Sequence, residues 1–221
     1  MRVSYLDTLR GMAVSWMIIF HTTYDMNMLG MIELNFNQGF WYAFPRVIAF
    51  TFLFCVGVSL NFTHKNHIKW QQLKLRSIKL GLAAFSISLV TYFLFPQQWI
   101  FFGTLHCILT GSILGAFLVN QRKLALILLI GIIFSQYVLH FDIKWVSSIV
   151  QRPSMDFIPI YPWFWAILLG IVAGPYLNEF GLLQRIKGPQ WAAYLGKHSL
   201  KIYLLHQPLI YGVLFLIKSL L

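Results

Sequence analysis

The sequence predicts an all-α protein, a polytopic transmembrane helical bundle of about seven helices, with a cytoplasmic N-terminus and a single domain over residues 1–221. Three observations lead there. Hydrophobic residues make up 58% of the chain and charged residues 10%, against about 25% charge in a soluble domain, so there is too little charge to cover a water-facing surface. The mean hydropathy of +0.70 is spread along the chain and not held in one anchor. The 17 Lys and Arg, set against 6 Asp and Glu, fall unevenly between the connecting segments. A soluble enzyme, a disordered tail and a secreted disulfide scaffold are excluded. The net charge of +11 would suggest nucleic acid in a soluble chain, but here it reads as a topology signal. Cys55 and Cys107 sit in apolar runs without metal-ligand or redox spacing and read as packed thiols.

Long apolar runs punctuated by Pro, Gly and charge place the helices in order. The first covers Gly11 to Leu29; no small-residue cleavage site follows it, so it is expected to persist as an anchor. The next six cover Phe44 to Phe62, Ile78 to Phe95, Trp99 to Asn120, Leu124 to His140, Tyr161 to Leu177 and Tyr194 to Ile217. There is no internal repeat, and an odd helix count speaks against a simple inverted-repeat transporter. With the N-terminus inside, the cytoplasmic side collects thirteen basic residues, among them Arg2, Arg10, Arg76, Lys79 and Lys187; the outer side has Arg46, Lys144, Arg152 and Lys218. That asymmetry sets the orientation. Aromatic residues gather at the outer helix ends, including Trp41 before the second helix and Trp163 opening the sixth. They read either as an interfacial belt or, in part, as a stacking platform for a sugar.

Ionisable groups inside spanning helices are costly and mark function. Asp7, Arg10, His21 and Asp25 are spaced by 3, 11 and 4 residues, and at about 100° per residue they share one stripe of the first helix. Such a stripe must face protein or a water-filled cavity. Each pair taken alone also reads structurally, as an i,i+3 or i,i+4 partnership. His106, counted from a helix start near Gln98, would lie roughly 12 Å below the outer surface, level with His21. His206 precedes Pro208, whose break in the seventh helix accounts for polar residues there. The loop from His64 to Lys79 is the most basic stretch. It reads as a topology determinant or as a cradle for phosphates, with Arg76 and Lys79 one turn apart.

The run Leu6-Asp7-Thr8-Leu9-Arg10-Gly11, followed by His21, resembles the opening helix of the transmembrane acyltransferase superfamily, including the Arg and His motif of acyltransferase family three. The closer resemblance is to the heparan-alpha-glucosaminide N-acetyltransferase catalytic-domain family. Further marks are Phe102-Gly103-Thr104-Leu105-His106, the stretch from Asp156 to Trp163, and the stretch from Leu195 to Pro208. Lys79 stands where family three has the second Arg of an Arg-x-x-Arg pattern. The resemblance implies transfer of an acetyl group from cytoplasmic acetyl-CoA, as co-substrate, to an amino or hydroxyl group of a sugar or glycoconjugate across the membrane. A prokaryotic plasma membrane is the expected setting.

On this reading Arg10, Arg76 and Lys79, with Asp7, hold the CoA end, and the pantetheine arm follows the stripe to His21. His21 takes the acceptor's proton, Asp25 orients its ring, and His106 polarises the carbonyl or carries a second proton. Asp156, Trp163, Trp41 and His206 are the candidate acceptor-binding residues. Besides acetyl-CoA and acceptor, the partners are the bilayer and, as an open alternative, a second copy of the chain; no nucleic acid and no metal are expected. A small transporter or channel using the same stripe is the competing class, discriminated by flux in liposomes without acetyl-CoA. A silent scaffold is the third.

Overall fold

The computed structural model describes residues 4–141, 154–182, 185 and 188–220. Among these the chain is helical throughout: α1 (Ser4–Met28), α2 (Gly39–His64), α3 (Trp70–Leu94), α4 (Thr104–Leu118), α5 (Arg122–Tyr137), α6 (Ile160–Glu179), α7 (Gln190–Lys197) and α8 (Ser199–Leu220). Arg2, Lys144, Arg152 and Lys187 of the charge pattern lie outside the described residues.

Four helices, α2, α3, α6 and α8, are long and apolar enough to cross a membrane, which takes about 20 residues. α1 has the length, at 25 residues, but its polar stripe dilutes its apolar character. α4 and α5 run 15 and 16 residues. The expected seventh helix is two helices, divided at His198, whose φ of −104° and ψ of 12° leave the helical region. The expected sixth begins regularly only at Pro162, because Tyr161 is extended, at φ −98° and ψ 129°; proline suits a first helical turn, where its missing N–H has no helical partner.

The described residues form two compact units, a middle unit within Leu53 to Phe180 and a terminal unit within Ser4 to Phe52 and Gly181 to Leu220. In the terminal unit α1 packs against α7 and α8. The α1–α7 crossing is a backbone-on-backbone contact. A Cβ on Gly196 would stand 1.7 Å from the Asp7 carbonyl oxygen, and one on Gly11 would stand 1.8 Å from that of Ala192, so small residues are what let the two helices touch. α1 ends in a Schellman turn: Gly30, at φ 69°, donates its N–H to the Asn27 carbonyl, and Met31 donates to Met26. Lys218 of α8 donates to the neighbouring Leu29 carbonyl.

In the middle unit α2 and α6 meet in the same manner, with Gly57 under the Ile167 carbonyl and Gly170 under that of Phe54. Asn61, buried in this seam, donates from Nδ2 toward the carbonyls of Gly57, Gly170 and Ile171 at 3.2, 3.2 and 3.1 Å. The Ile171 carbonyl needs that donor, because its helical partner four residues on is Pro175, which has no N–H. Cys55 and Cys107 are buried and are not joined in a disulfide. Apolar side chains such as Leu82 and Phe85 on α3 and Ile127 and Ile130 on α5 stand exposed, as lipid-facing residues do.

Candidate active site

The polar side chains of α1 are placed by the helix itself. Ser15, Thr22 and Thr23 return their hydroxyls to the carbonyls of Gly11, Ile18 and Ile19, four residues back, which satisfies them without a second helix. The ionisable residues instead face α7 and α8. Asp7 is 2% exposed, and its Oδ1 lies 3.4 Å from Nη1 of Arg10, one turn along. Asp25 is 1% exposed. Both of its oxygens accept from Nε2 of Gln207 on α8, at 2.9 and 3.0 Å. Among the described residues Asp25 makes no hydrogen bond to His21, so the expected orienting contact is replaced by one to Gln207. His21 packs edge-on against His206, with ring centroids 4.8 Å apart and planes at 63°.

The His206 ring has a defined tautomer. Its Nδ1 is 2.8 Å from the Tyr203 carbonyl oxygen, which can only accept, so Nδ1 carries the hydrogen and a neutral ring has its lone pair on Nε2. That Nε2 is buried without a hydrogen-bond partner among the described residues, as is Oε1 of Gln207. Trp41, of the same unit, packs with Phe36, Phe40 and Phe44.

The middle unit holds a second cluster at the start of α4. Asp156 Oδ2 accepts from the Thr104 N–H at 2.7 Å and Oδ1 from its hydroxyl at 3.1 Å, a cap that arrives from far along the chain. A Cβ on Gly103 would stand 2.4 Å from that Oδ2. His106 Nδ1 accepts from the Gly103 N–H at 3.2 Å, so the hydrogen of the neutral ring is on Nε2. That nitrogen lies 3.3 Å from the Ser88 hydroxyl, which itself donates to the Ile100 carbonyl at 2.6 Å. His106 therefore stands in the first turn of α4, not eight residues into a helix starting near Gln98. Residues 98–102 are instead a non-helical turn and bend tied to 155–158, through Met155 N–H to the Gln98 carbonyl and Ile158 N–H to that of Phe102. Arg76, half-buried, and Lys79, exposed, follow one another on α3. Trp163 is half-buried at the start of α6.

The family model for heparan-alpha-glucosaminide N-acetyltransferase, catalytic, matches residues 2–208. The chain belongs to this family. It is thus a membrane acetyltransferase by family, and the match contains both clusters. No curated protein and no solved structure matches the chain.

Within the acetyltransferase, the structure brings Asp7 to Arg10 and gathers His21, Asp25 and His206 in the terminal unit, and it brings His106 and Asp156 to the two sides of one helix start in the middle unit. Sequence reasoning passed over Gln207, Ser88 and Thr104. Gln207 had a signal, since it stands between His206 and Pro208 at mid-helix, away from the Lys and Ser residues at the two ends of α8. Ser88 had none, because a serine in a spanning helix is ordinarily satisfied by its own turn.

Proposed function

We propose that the chain transfers an acetyl group from cytoplasmic acetyl-CoA to an amino or hydroxyl group of a sugar-type acceptor on the opposite side of a prokaryotic plasma membrane. The observation that carries this reading is the pairing of half-buried His21 with buried His206, beside Asp25 and Gln207, inside the residues that match the acetyltransferase family. Buried imidazoles in a spanning bundle are costly, and proton transfer is what they supply.

In the reaction the acceptor's nitrogen or oxygen attacks the thioester carbonyl while His21 takes its proton. Collapse of the tetrahedral adduct breaks the C–S bond, and the proton passes to the departing thiolate, so acetylated acceptor and CoA leave. Arg76 and Lys79, one turn apart on α3, are suited to phosphates. Arg10, held by Asp7, is the cation at the foot of the α1 stripe. In the middle unit His106 keeps its hydrogen on Nε2, where the Ser88 hydroxyl accepts it. Trp163, half-buried at the start of α6 in the same unit as Asp156, offers a face on which a sugar ring can stack.

The test is labelled acetyl-CoA with the purified full-length chain and a panel of amino sugars and neutral sugars. Label should appear in an acceptor with the native chain and not with His21→Ala, which should still bind acetyl-CoA. Full turnover by His21→Ala would sink the scheme. Arg76→Ala should raise the Michaelis constant for acetyl-CoA with little change in kcat, and an unchanged constant would remove Arg76 from the phosphate site.

A further inference from the structure

His21 needs an anchor. An imidazole that takes a proton from one side works best when a hydrogen bond on its other nitrogen fixes the tautomer and steadies the imidazolium that forms. Asp25, four residues along α1, is the natural candidate, but both of its oxygens lie within 3.0 Å of Gln207 Nε2. The residue against the His21 ring is His206. Its own tautomer is set by the Tyr203 carbonyl, which turns Nε2 into a pure acceptor, and that acceptor is buried and without a partner among the described residues. His206 is 8% exposed, so bulk water does not compete freely for the lone pair. At a centroid separation of 4.8 Å the two rings are in contact, and the hydrogen bonds of a catalytic pair often close only in the reacting complex.

We propose that His206 is the positioning residue of His21: its Nε2 accepts the N–H of the His21 ring, leaving the other nitrogen of His21 as the lone pair that faces the acetyl acceptor. This rests on the function proposed above and replaces the expected roles of Asp25 as anchor and of His206 as acceptor contact. The proton balance is unchanged. His21 gains the acceptor's proton, the His21–His206 hydrogen bond stabilises the resulting cation, and the proton returns to the thiolate of CoA. Asp25 and Gln207 act one step further back, by fixing α8 against α1 so that the two rings meet.

Two variants separate this from a role in shape alone. His206→Asn keeps a donor where Nδ1 meets the Tyr203 carbonyl but deletes the acceptor at the Nε2 position; kcat should fall about a hundredfold, with the acetyl-CoA Michaelis constant within about threefold of native. His206→Gln puts its Oε1 where Nε2 stood and should recover kcat to within about tenfold of native. Native kcat in His206→Asn, or equal loss in both variants, overturns the proposal. A measurement on the native chain is independent of how the variants fold: ring-15N NMR in detergent should find His206 protonated on Nδ1 and bare on Nε2, and the opposite tautomer overturns the proposal. If the native chain acetylates no acceptor, the proposed function falls; if it turns over and His206→Asn does too, only the role of His206 falls.

Discussion

Asn61→Leu tests the packing logic of the middle unit. Leucine keeps the branched shape, with bulkier methyl ends, but removes the amide that supplies the Ile171 carbonyl, whose helical donor is missing at Pro175. Stranding a buried carbonyl costs about 1–3 kcal/mol. Losing the interhelical bond to the Gly170 carbonyl adds about 0.6 kcal/mol, the average measured for such bonds inside membranes. The expected cost is therefore about 1.6–3.6 kcal/mol. Pro175→Ala restores an N–H to the Ile171 carbonyl from within α6, so in that background Asn61→Leu should cost about 1–2 kcal/mol less. The assay is reversible unfolding of the purified chain in mixed micelles, followed by circular dichroism, for the native chain, both single variants and the double. A cost below about 0.5 kcal/mol for Asn61→Leu, or purely additive single and double variants, would refute the reasoning.

Other outcomes follow from the same geometry. Asp156→Ala should destabilise the chain by about 0.5–2 kcal/mol through loss of the α4 cap, whereas Asp156→Asn should keep an acceptor and lose only the charge–dipole share; unfolding in micelles measures both, and a selective rise in the acceptor's Michaelis constant for Asp156→Asn would add a substrate contact to the cap. Gly196→Ala should cost about 1–3 kcal/mol, since its new methyl would lie 1.7 Å from the Asp7 carbonyl oxygen and only backbone movement relieves it; unaltered stability would mean that α1 and α7 do not touch as described. Gln207→Leu should lower turnover while sparing acetyl-CoA binding, because it frees both oxygens of Asp25; unchanged kcat would separate Asp25 and Gln207 from the reaction.

Much of this was legible from the chain. The spacing of Asp7, Arg10, His21 and Asp25 placed them on one stripe before any partner was known, because helical period is a local property. What the stripe faces was not local. Asp25 could be spaced four residues from His21 and still be taken by Gln207, a choice made by the crossing of α1 and α8. The break at His198 has no proline to mark it; its only mark is Gly196-Lys197-His198-Ser199, a glycine and three polar residues that interrupt the apolar run. The start of α4 was misplaced by about five residues because the Thr104 N–H is capped by Asp156, 52 residues away, and the local cap is a histidine receiving the Gly103 N–H and not the usual Glu or Gln. His106 was singled out correctly as a residue to weigh, but its environment depended on that distant cap and on Ser88.

The cap also has a consequence for biosynthesis. Asp156 follows Thr104 by 52 residues, and at about 5–20 residues per second that separation is roughly 3–10 s of synthesis. For that interval α4 exists with its first turn open, its Thr104 N–H unmet and the Gly103–His106 corner unformed around Asp156. The His106 corner is thus finished late, after α5 has been made, and by the chain's own later sequence. A ribosome stalled between α5 and α6 would present a nascent chain in which α1 to α5 are all present while the start of α4 is incomplete.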